Sequence, residues 1–179
     1  MITLKGEQVE QFKTLYNTVC SLFDGVYDKG GNPYMSHVEA VIEGASVRGY
    51  RAMLIALFHD VLEDTDTTED DLRSWGLTRD VIHGVKLMTR DDGVSYHDYI
   101  NSILESGDKD VMVVKLSDVC NNSDFSRLDK VELQTWHPLK VRYDKTRESL
   151  VGALSVSVYD DIVNAQEFYK QEMSTPVGG

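Results

Sequence analysis

Four ionisable side chains, His59, Asp60, Glu63 and Asp64, interrupt the apolar stretch AMLIALFHDVLEDTD between Ala52 and Asp66. At about 100° per residue along a helix, Asp60, Glu63 and Asp64 all fall within about 140° of His59. Ile55, Phe58, Val61 and Leu62 take the remaining faces, so the helix is apolar wherever a core would need it. Unpaired charge in such a setting costs several kcal/mol, or titrates away until it is neutral. A bound cation would offset that cost. An imidazole beside a carboxylate, followed one turn later by two more carboxylates, is suited to holding a metal and to handling a water molecule next to it.

A metal site draws on several elements, and two further residues stand where helices could deliver them. His37 opens one predicted helix, and Asp118 lies in a later apolar segment. Together with His59 and Asp60 they make two imidazoles and two carboxylates, a donor set that suits Mn²⁺, Fe²⁺, Co²⁺ or Zn²⁺. Four protein ligands leave positions for water and a phosphate oxygen, a Lewis-acid hydrolase arrangement. Each residue also has a plainer reading. His37 by itself fits a hydrogen-bonded core or cap residue, and Asp118 beside Lys115 fits half of an ion pair. Asp66, Glu69, Asp70 and Asp71 read as a solvated acidic run. The adjacent pair His59-Asp60 is different, because a structural role offers no obvious partner for both groups.

The elements that must position these residues read as helices throughout. Val9, Phe12, Leu15, Tyr16, Val19 and Leu22 form an apolar stripe over 4–23. The loop DKGGNP carries Lys29 and leads to a helix over 34–48 that stops at Gly49. The central helix is expected over 51–63. Thr68 and Asp71 give the spacing of a capping box for a short helix broken by Gly76. Further helices are expected over 78–88 and from Ser95 to Ser106. The run VMVVKL could be a strand or a buried helix by periodicity, and helix is chosen over 110–122 because Lys115, Asp118 and Asn122 then share one side. Pro138 marks a break or a helix start, followed by helices over 139–154 and 158–172. The expectation is an all-α fold: a single compact helical bundle over residues 1–173, with a disordered tail over 174–179.

The bulk numbers bound the function. A chain of 179 residues with 41% hydrophobic and 27% charged residues fits one soluble domain. A net charge of −12 excludes a nucleic-acid or anionic-membrane surface, which needs clustered Lys and Arg. Cys20 and Cys120 stand far apart with no ligand spacing, and read as buried, reduced thiols. With no signal-like or membrane-spanning segment, a cytoplasmic protein is expected. The apolar content of the last helices leaves room for a homo-oligomer interface.

Three segments carry a resemblance: KGGNPYMSH over 29–37, ALFHDVLEDTDTT over 56–68 and VVKLSDVCNN over 113–122. His37, the pair His59-Asp60 and the distant Asp118 resemble the H…HD…D pattern of the HD-domain metal-dependent phosphohydrolase superfamily. The HDxxED segment more specifically resembles the (p)ppGpp hydrolase domain of RelA/SpoT-type alarmone enzymes and the small stand-alone alarmone hydrolases. The resemblance covers roughly residues 5–130. It implies an HD-domain bundle with His37, His59, Asp60 and Asp118 as ligands of Mn²⁺, and Glu63 and Asp64 as the pair that positions and deprotonates the attacking water. It also implies that Lys29 and Asn122 contact the nucleotide. The reaction implied is removal of the 3′-pyrophosphate from guanosine tetra- or pentaphosphate.

The chain departs from that pattern at Asp28, where Arg is frequent, at Val119, where Arg or Lys is common, and at Val38, where Pro is usual. Each departure removes positive charge or local shape near the nucleotide, and none removes a ligand. Two other readings therefore stay open. One keeps the chemistry but changes the substrate to a deoxynucleoside triphosphate or a 5′-nucleotide. The other is a protein that binds or senses a nucleotide without turning it over. His83, His97 and His137 match no position of the pattern and read as surface or core residues.

Overall fold

The computed structural model describes residues 5–124 and 133–174. Its elements are α1 (Gly6–Leu22), α2 (Tyr34–Ala45), a 3₁₀ turn (Ser46–Arg48), α3 (Tyr50–Phe58), α4 (Val61–Asp64), α5 (Glu69–Ser74), α6 (Arg79–Met88), α7 (Tyr96–Ser106), α8 (Lys109–Asn122), α9 (Leu133–Ala153) and α10 (Val156–Ser174). Among the described residues there is no strand, only an isolated antiparallel bridge between Tyr27 and Pro33. The all-α expectation holds. No helix among the described residues is long and apolar enough to cross a membrane.

α8 is the axis of the bundle. Val111, Val113, Val114, Leu116 and Val119 are wholly buried, and α2, α3, α6, α9 and α10 all pack against it. Enclosure on every side explains why VMVVKL carries no amphipathic stripe: a helix covered all round has no polar face to show. Each such side chain contributes about 1.5–3 kcal/mol on burial, enough together to carry the cost of the few charged groups set among them.

Two glycines fix how closely the helices approach. A Cβ on Gly44 of α2 would meet Ser117 Oγ of α8 at 2.6 Å, and one on Gly84 of α6 would meet Ile55 Cδ1 of α3 at 2.4 Å. Gln166 of α10 bolts the first crossing, its Nε2 donating to Ala40 O at 3.1 Å and to Ser117 O at 2.9 Å. Tyr16 of α1 and Tyr169 of α10 both donate to the carboxylate of Glu39 on α2.

Thr68 and Asp71 form the expected capping box, and Glu69 and Asp70 pair with Lys86 and Arg73, so much of the acidic run is a capped, ion-paired helix start. The first helix, α6, α7 and α8 match their expected spans to within a residue or two. α2 ends at Ala45 and continues to Gly49 as 3₁₀. α9 runs through Pro138 rather than starting after it, which costs the helix one backbone hydrogen bond near its N-terminal end. Both cysteines are free, and half-buried rather than buried. His83 and His97 are exposed. The side chain of His137 and residues 175–179 of the expected tail lie outside the described residues, and Ser174 ends α10.

The main correction concerns the central stretch. It is two helices: α3 stops at Phe58, and α4 restarts at Val61. Asp60 leaves helical geometry at φ −107°, ψ −2°, the bridge region where functional residues often sit. In a continuous helix His59 and Asp60 would point about 100° apart. The break turns both side chains onto one point.

Candidate functional site

His37 enters from the first turns of α2, His59 and Asp60 from the α3–α4 break, and Asp118 from the last turns of α8. His37 is 3% exposed, His59 0% and Asp118 5%. The Nε2 atoms of His37 and His59 face each other at 3.2 Å. Asp60 Oδ2 lies 2.9 Å from His59 Nε2 and 3.7 Å from His37 Nε2. Potential ligand atoms of these three residues all lie within 4.8 Å of one another. Asp118 joins through His37, with Oδ1 3.4 Å from Nε2.

The hydrogen bonds behind these groups orient them. His59 Nδ1 donates to Ala56 O at 2.7 Å, and His37 Nδ1 donates to Asn121 Oδ1 at 2.8 Å. Both Nδ1 atoms are thereby spent on oxygens that can only accept, so both Nε2 atoms turn toward the cluster. Asp118 accepts from Lys115 Nζ at 2.8 Å and from Asn122 Nδ2 at 2.5 Å. The Lys115 ammonium also lies 5.1 Å from the centre of the Tyr99 ring. The ion pair between Lys115 and Asp118 anticipated by the plainer reading is thus real, and it operates inside the cluster. Tyr34, three residues before His37, donates to Asp60 Oδ2 at 2.5 Å and lies 3.0 Å from Asp64 Oδ2.

Electrostatics bear on whether a metal fits. Burial opposes the charge on His59, yet Asp60, Asp118 and the Ala56 carbonyl push its pKa up to about 9. Burial likewise opposes ionisation of Asp60 and Asp118, but the imidazoles hold Asp60 well below the carboxylate range, and Lys115, with the imidazoles, holds Asp118 low. Burial also works against the Lys115 ammonium, and Asp118 keeps it charged well above the usual range. The carboxylates therefore favour positive charge at His59, in the place where a divalent cation would bring its own. Two nitrogens and the Asp60 carboxylate converging in this way, with Asp118 beside His37, fit such an ion.

These groups sit at the base of a cavity of about 470 Å³. His59 lies behind the wall, while His37, Asp60 and Asp118 form part of it. Glu63 and Asp64 line it from α4, exposed. Glu63 accepts from the Arg90 backbone N–H at 3.2 Å. Desolvation beside Asp60, and then the Asp60 charge itself, raise the Asp64 carboxyl above the ordinary range. Lys29, exposed, stands at the cavity, and Asn122 lines it with its amide engaged on Asp118. All eight candidate residues from the sequence are gathered at this one site.

Sequence reasoning left out several neighbours. Arg90, Arg142 and Tyr143 also line the cavity. The region after residue 130, silent in sequence, thus supplies a wall, with the Arg142 guanidinium 4.9 Å from the centre of the Tyr96 ring. Tyr34 and Asn121 had a findable signal: each stands three residues from a ligand candidate on the same helix. Arg142 and Tyr143 had none.

No family model matches the chain. It is 27% identical over 129 residues to the bifunctional (p)ppGpp synthase/hydrolase SpoT of Escherichia coli strain K12, covering 66% of this chain and 18% of that protein. The same figures hold for the guanosine-3′,5′-bis(diphosphate) 3′-pyrophosphohydrolase of Escherichia coli O157:H7. The chain thus spans 18% of the length of these curated relatives. Among solved structures it is similar to a metazoan ortholog of SpoT described as hydrolysing ppGpp, with a TM-score of 0.67 and 18% identity over 96% of this chain and 98% of that one. The resemblance read from the three motifs is met in both comparisons, and the helical bundle has the fold of that structure.

Proposed function

We propose that this chain, RelA/SpoT-like in its motifs and in its fold, is a metal-dependent nucleotide phosphohydrolase that removes the 3′-pyrophosphate from (p)ppGpp. The observation that carries the reading is the convergence of His37 Nε2, His59 Nε2 and Asp60 Oδ2 at the base of a cavity that also holds Glu63 and Asp64. His37, His59, Asp60 and Asp118 would hold the ion, Mn²⁺ by resemblance, with Fe²⁺, Co²⁺ or Zn²⁺ compatible with the same donors. When bound, the ion would lower the pKa of a water and polarise a phosphoryl oxygen.

The rest falls to the chain's own side chains. Glu63 faces the cavity and takes the proton of the attacking water. Asp64, bridged to Asp60 by the Tyr34 hydroxyl, orients that water. Attack at the phosphorus linked to the ribose 3′-oxygen breaks that P–O bond, and the proton taken by Glu63 can return to the departing 3′-oxygen. The products are pyrophosphate and GDP or GTP. Lys29, Arg90 and Arg142 supply positive charge for the phosphates around a cavity whose base is acidic.

The departures from the pattern weigh less in three dimensions than in one. The Asp28 carboxylate accepts from the Asn32 backbone N–H at 2.8 Å and so closes the loop that carries Lys29. Val119 and Val38 are 0% and 1% exposed and belong to the core. A pure binder has no use for Glu63 and Asp64 at the cavity wall, which favours turnover over sensing. The free thiols and acidic surface suit the cytoplasm, where such a nucleotide would be met.

The test is product analysis. Purified protein with Mn²⁺ is incubated with ppGpp, deoxynucleoside triphosphates and 5′-monophosphates, and the products are resolved by ion exchange. Pyrophosphate and GDP from ppGpp are expected. Triphosphate or orthophosphate from the other nucleotides, with ppGpp untouched, would move the substrate assignment. Tight binding without turnover of any of them would leave a sensor.

A further inference from the structure

Asn121 has no role in the reaction proposed above beyond its hydrogen bond to His37, and the motif reading passes over it in favour of its neighbour Asn122. In the structure it is 4% exposed and sits in the last turn of α8, 84 residues from His37 in sequence. Its side-chain oxygen receives the His37 Nδ1–H at 2.8 Å. On the other side of the ring, Nε2 lies 3.2 Å from His59 Nε2 and 3.4 Å from Asp118 Oδ1. A neutral imidazole has one N–H and one lone pair. An acceptor fixed at Nδ1 therefore places the lone pair at Nε2, toward the cluster. His59 reaches the same state by another route, through the main-chain carbonyl of Ala56, which no substitution at that residue removes. The His37 tautomer depends instead on one side chain from another helix.

We infer that Asn121 is a positioning residue that fixes His37 in the Nδ1–H tautomer and so selects Nε2 as the metal-binding nitrogen. The inference rests on the metal-centre reading above. A side-chain acceptor behind a ligating imidazole orients the ring and raises its basicity, and losing one weakens metal binding about 10–100-fold. Asn121 also sets the ring plane, because the Nδ1–H···O direction leaves the imidazole edge-on to His59, with ring centres 5.1 Å apart and planes 62° apart.

The experiment has two arms. In the first, Co²⁺ alone is titrated into chelator-stripped wild type, Asn121→Leu and Asn121→Asp, followed by its visible absorbance. Asn121→Leu is expected to bind 10–100-fold more weakly, while Asn121→Asp, which keeps an acceptor, binds within about threefold of wild type or more tightly. A merely structural role would lower the melting temperature of both variants and leave Co²⁺ affinity of the folded protein unchanged. That outcome overturns the inference. In the second arm, long-range ¹H–¹⁵N correlation spectra of the metal-free wild type read the His37 tautomer directly, whether or not any variant folds. Protonated Nδ1 supports the inference, and protonated Nε2 with bare Nδ1 overturns it. If wild type takes up no Co²⁺ while the spectrum shows protonated Nδ1, the metal reading fails and the tautomer assignment stands apart from it.

Discussion

α3 and α8 carry a cluster of ionisable groups at each end of their contact, and the two clusters behave differently. At the starts of the helices, Arg51 is surrounded by Asp80, Asp108 and Asp110, with Nη2 2.7 Å from Asp108 Oδ2 and Nη1 3.0 Å from Asp110 Oδ2. Arg48 adds a second guanidinium at 3.1 Å from Asp110. At the ends stand His59, Asp60 and Asp118, with His37 from α2 between them. In the first cluster the chain supplies the positive charge as a planar fork matched to carboxylates. In the second it supplies Lys115 to Asp118, and asparagine and carbonyl oxygens to the imidazoles. The difference separates a joint from a site. In the structural cluster every carboxylate is met by a guanidinium of the chain, whereas the other leaves two imidazole nitrogens and a carboxylate oxygen aimed at one point.

Substitutions should break the two ends in different currencies. The largest effect is expected at the site: Asp60→Asn removes the carboxylate between the imidazoles and should lower kcat/KM by at least about 10³-fold. Metal uptake is lost with it, and circular dichroism stays native. Next comes Glu63→Gln, which should leave metal uptake unchanged and depress kcat about 10²-fold or more, the scale of a lost general base. Full activity in that variant would remove Glu63 from the mechanism. At the other end, Arg51→Met leaves three carboxylates facing one another and should cost about 2 kcal/mol, discounted for partial exposure of the guanidinium. Its signature in denaturant titrations is a lower midpoint, with metal affinity and kcat of the folded protein within about twofold of wild type.

The pH dependence sharpens the contrast further. His59 is raised in the folded, metal-free protein to about 9, so its contribution to stability is complete below the unfolded value of about 6.5 and is lost as pH rises toward 9. Asp108 resists ionisation through burial, but Arg51 and the backbone N–H groups of Val111 and Asp110 hold its carboxyl low. Its contribution is therefore present above about pH 4 and is lost as pH falls through the depressed folded value. Melting curves of the metal-free protein should thus decline on the alkaline side through His59. Arg51→Met should flatten the acid-side decline of wild type and leave the alkaline side unchanged, because the folded Asp108 carboxyl is then no longer held low by the guanidinium. Metal-loaded protein should be flat between pH 6.5 and 9, since the ion replaces the proton.

The sequence made much of this site legible, for a physical reason. Charge inside an apolar helix is expensive, so His59 and Asp60 stood out among Leu57, Phe58 and Val61 without any alignment. Helical spacing then drew Lys115, Asp118 and Asn122 onto one side of α8, where they do share the site. The break at Asp60 was not legible, because periodicity averages over a turn and cannot register one residue leaving helical φ and ψ. Asn121 stands three residues after Asp118 on the same helix, a signal that places it near the site, but its partner His37, 84 residues away, is not encoded locally. Arg142 and Tyr143 reach the cavity through the packing of α9 on α7 and α8, and nothing in local pattern encodes a contact between distant helices. Asp28 lines the cavity, as its place before Lys29 suggests, and its hydrogen bond from the Asn32 backbone N–H was not legible in local pattern.

If the α3–α8 ends form the proposed metal-dependent hydrolytic site, activity must follow the ion. The direct measurement is to strip the protein with chelator, add Mn²⁺ back stepwise, and follow release of pyrophosphate from ppGpp. No release is expected from stripped protein, and a rise to a plateau is expected at a single equivalent of Mn²⁺ per chain, absent in Asp60→Asn. Release that survives stripping, or none at any level of Mn²⁺ or the other divalent ions, would contradict the proposal.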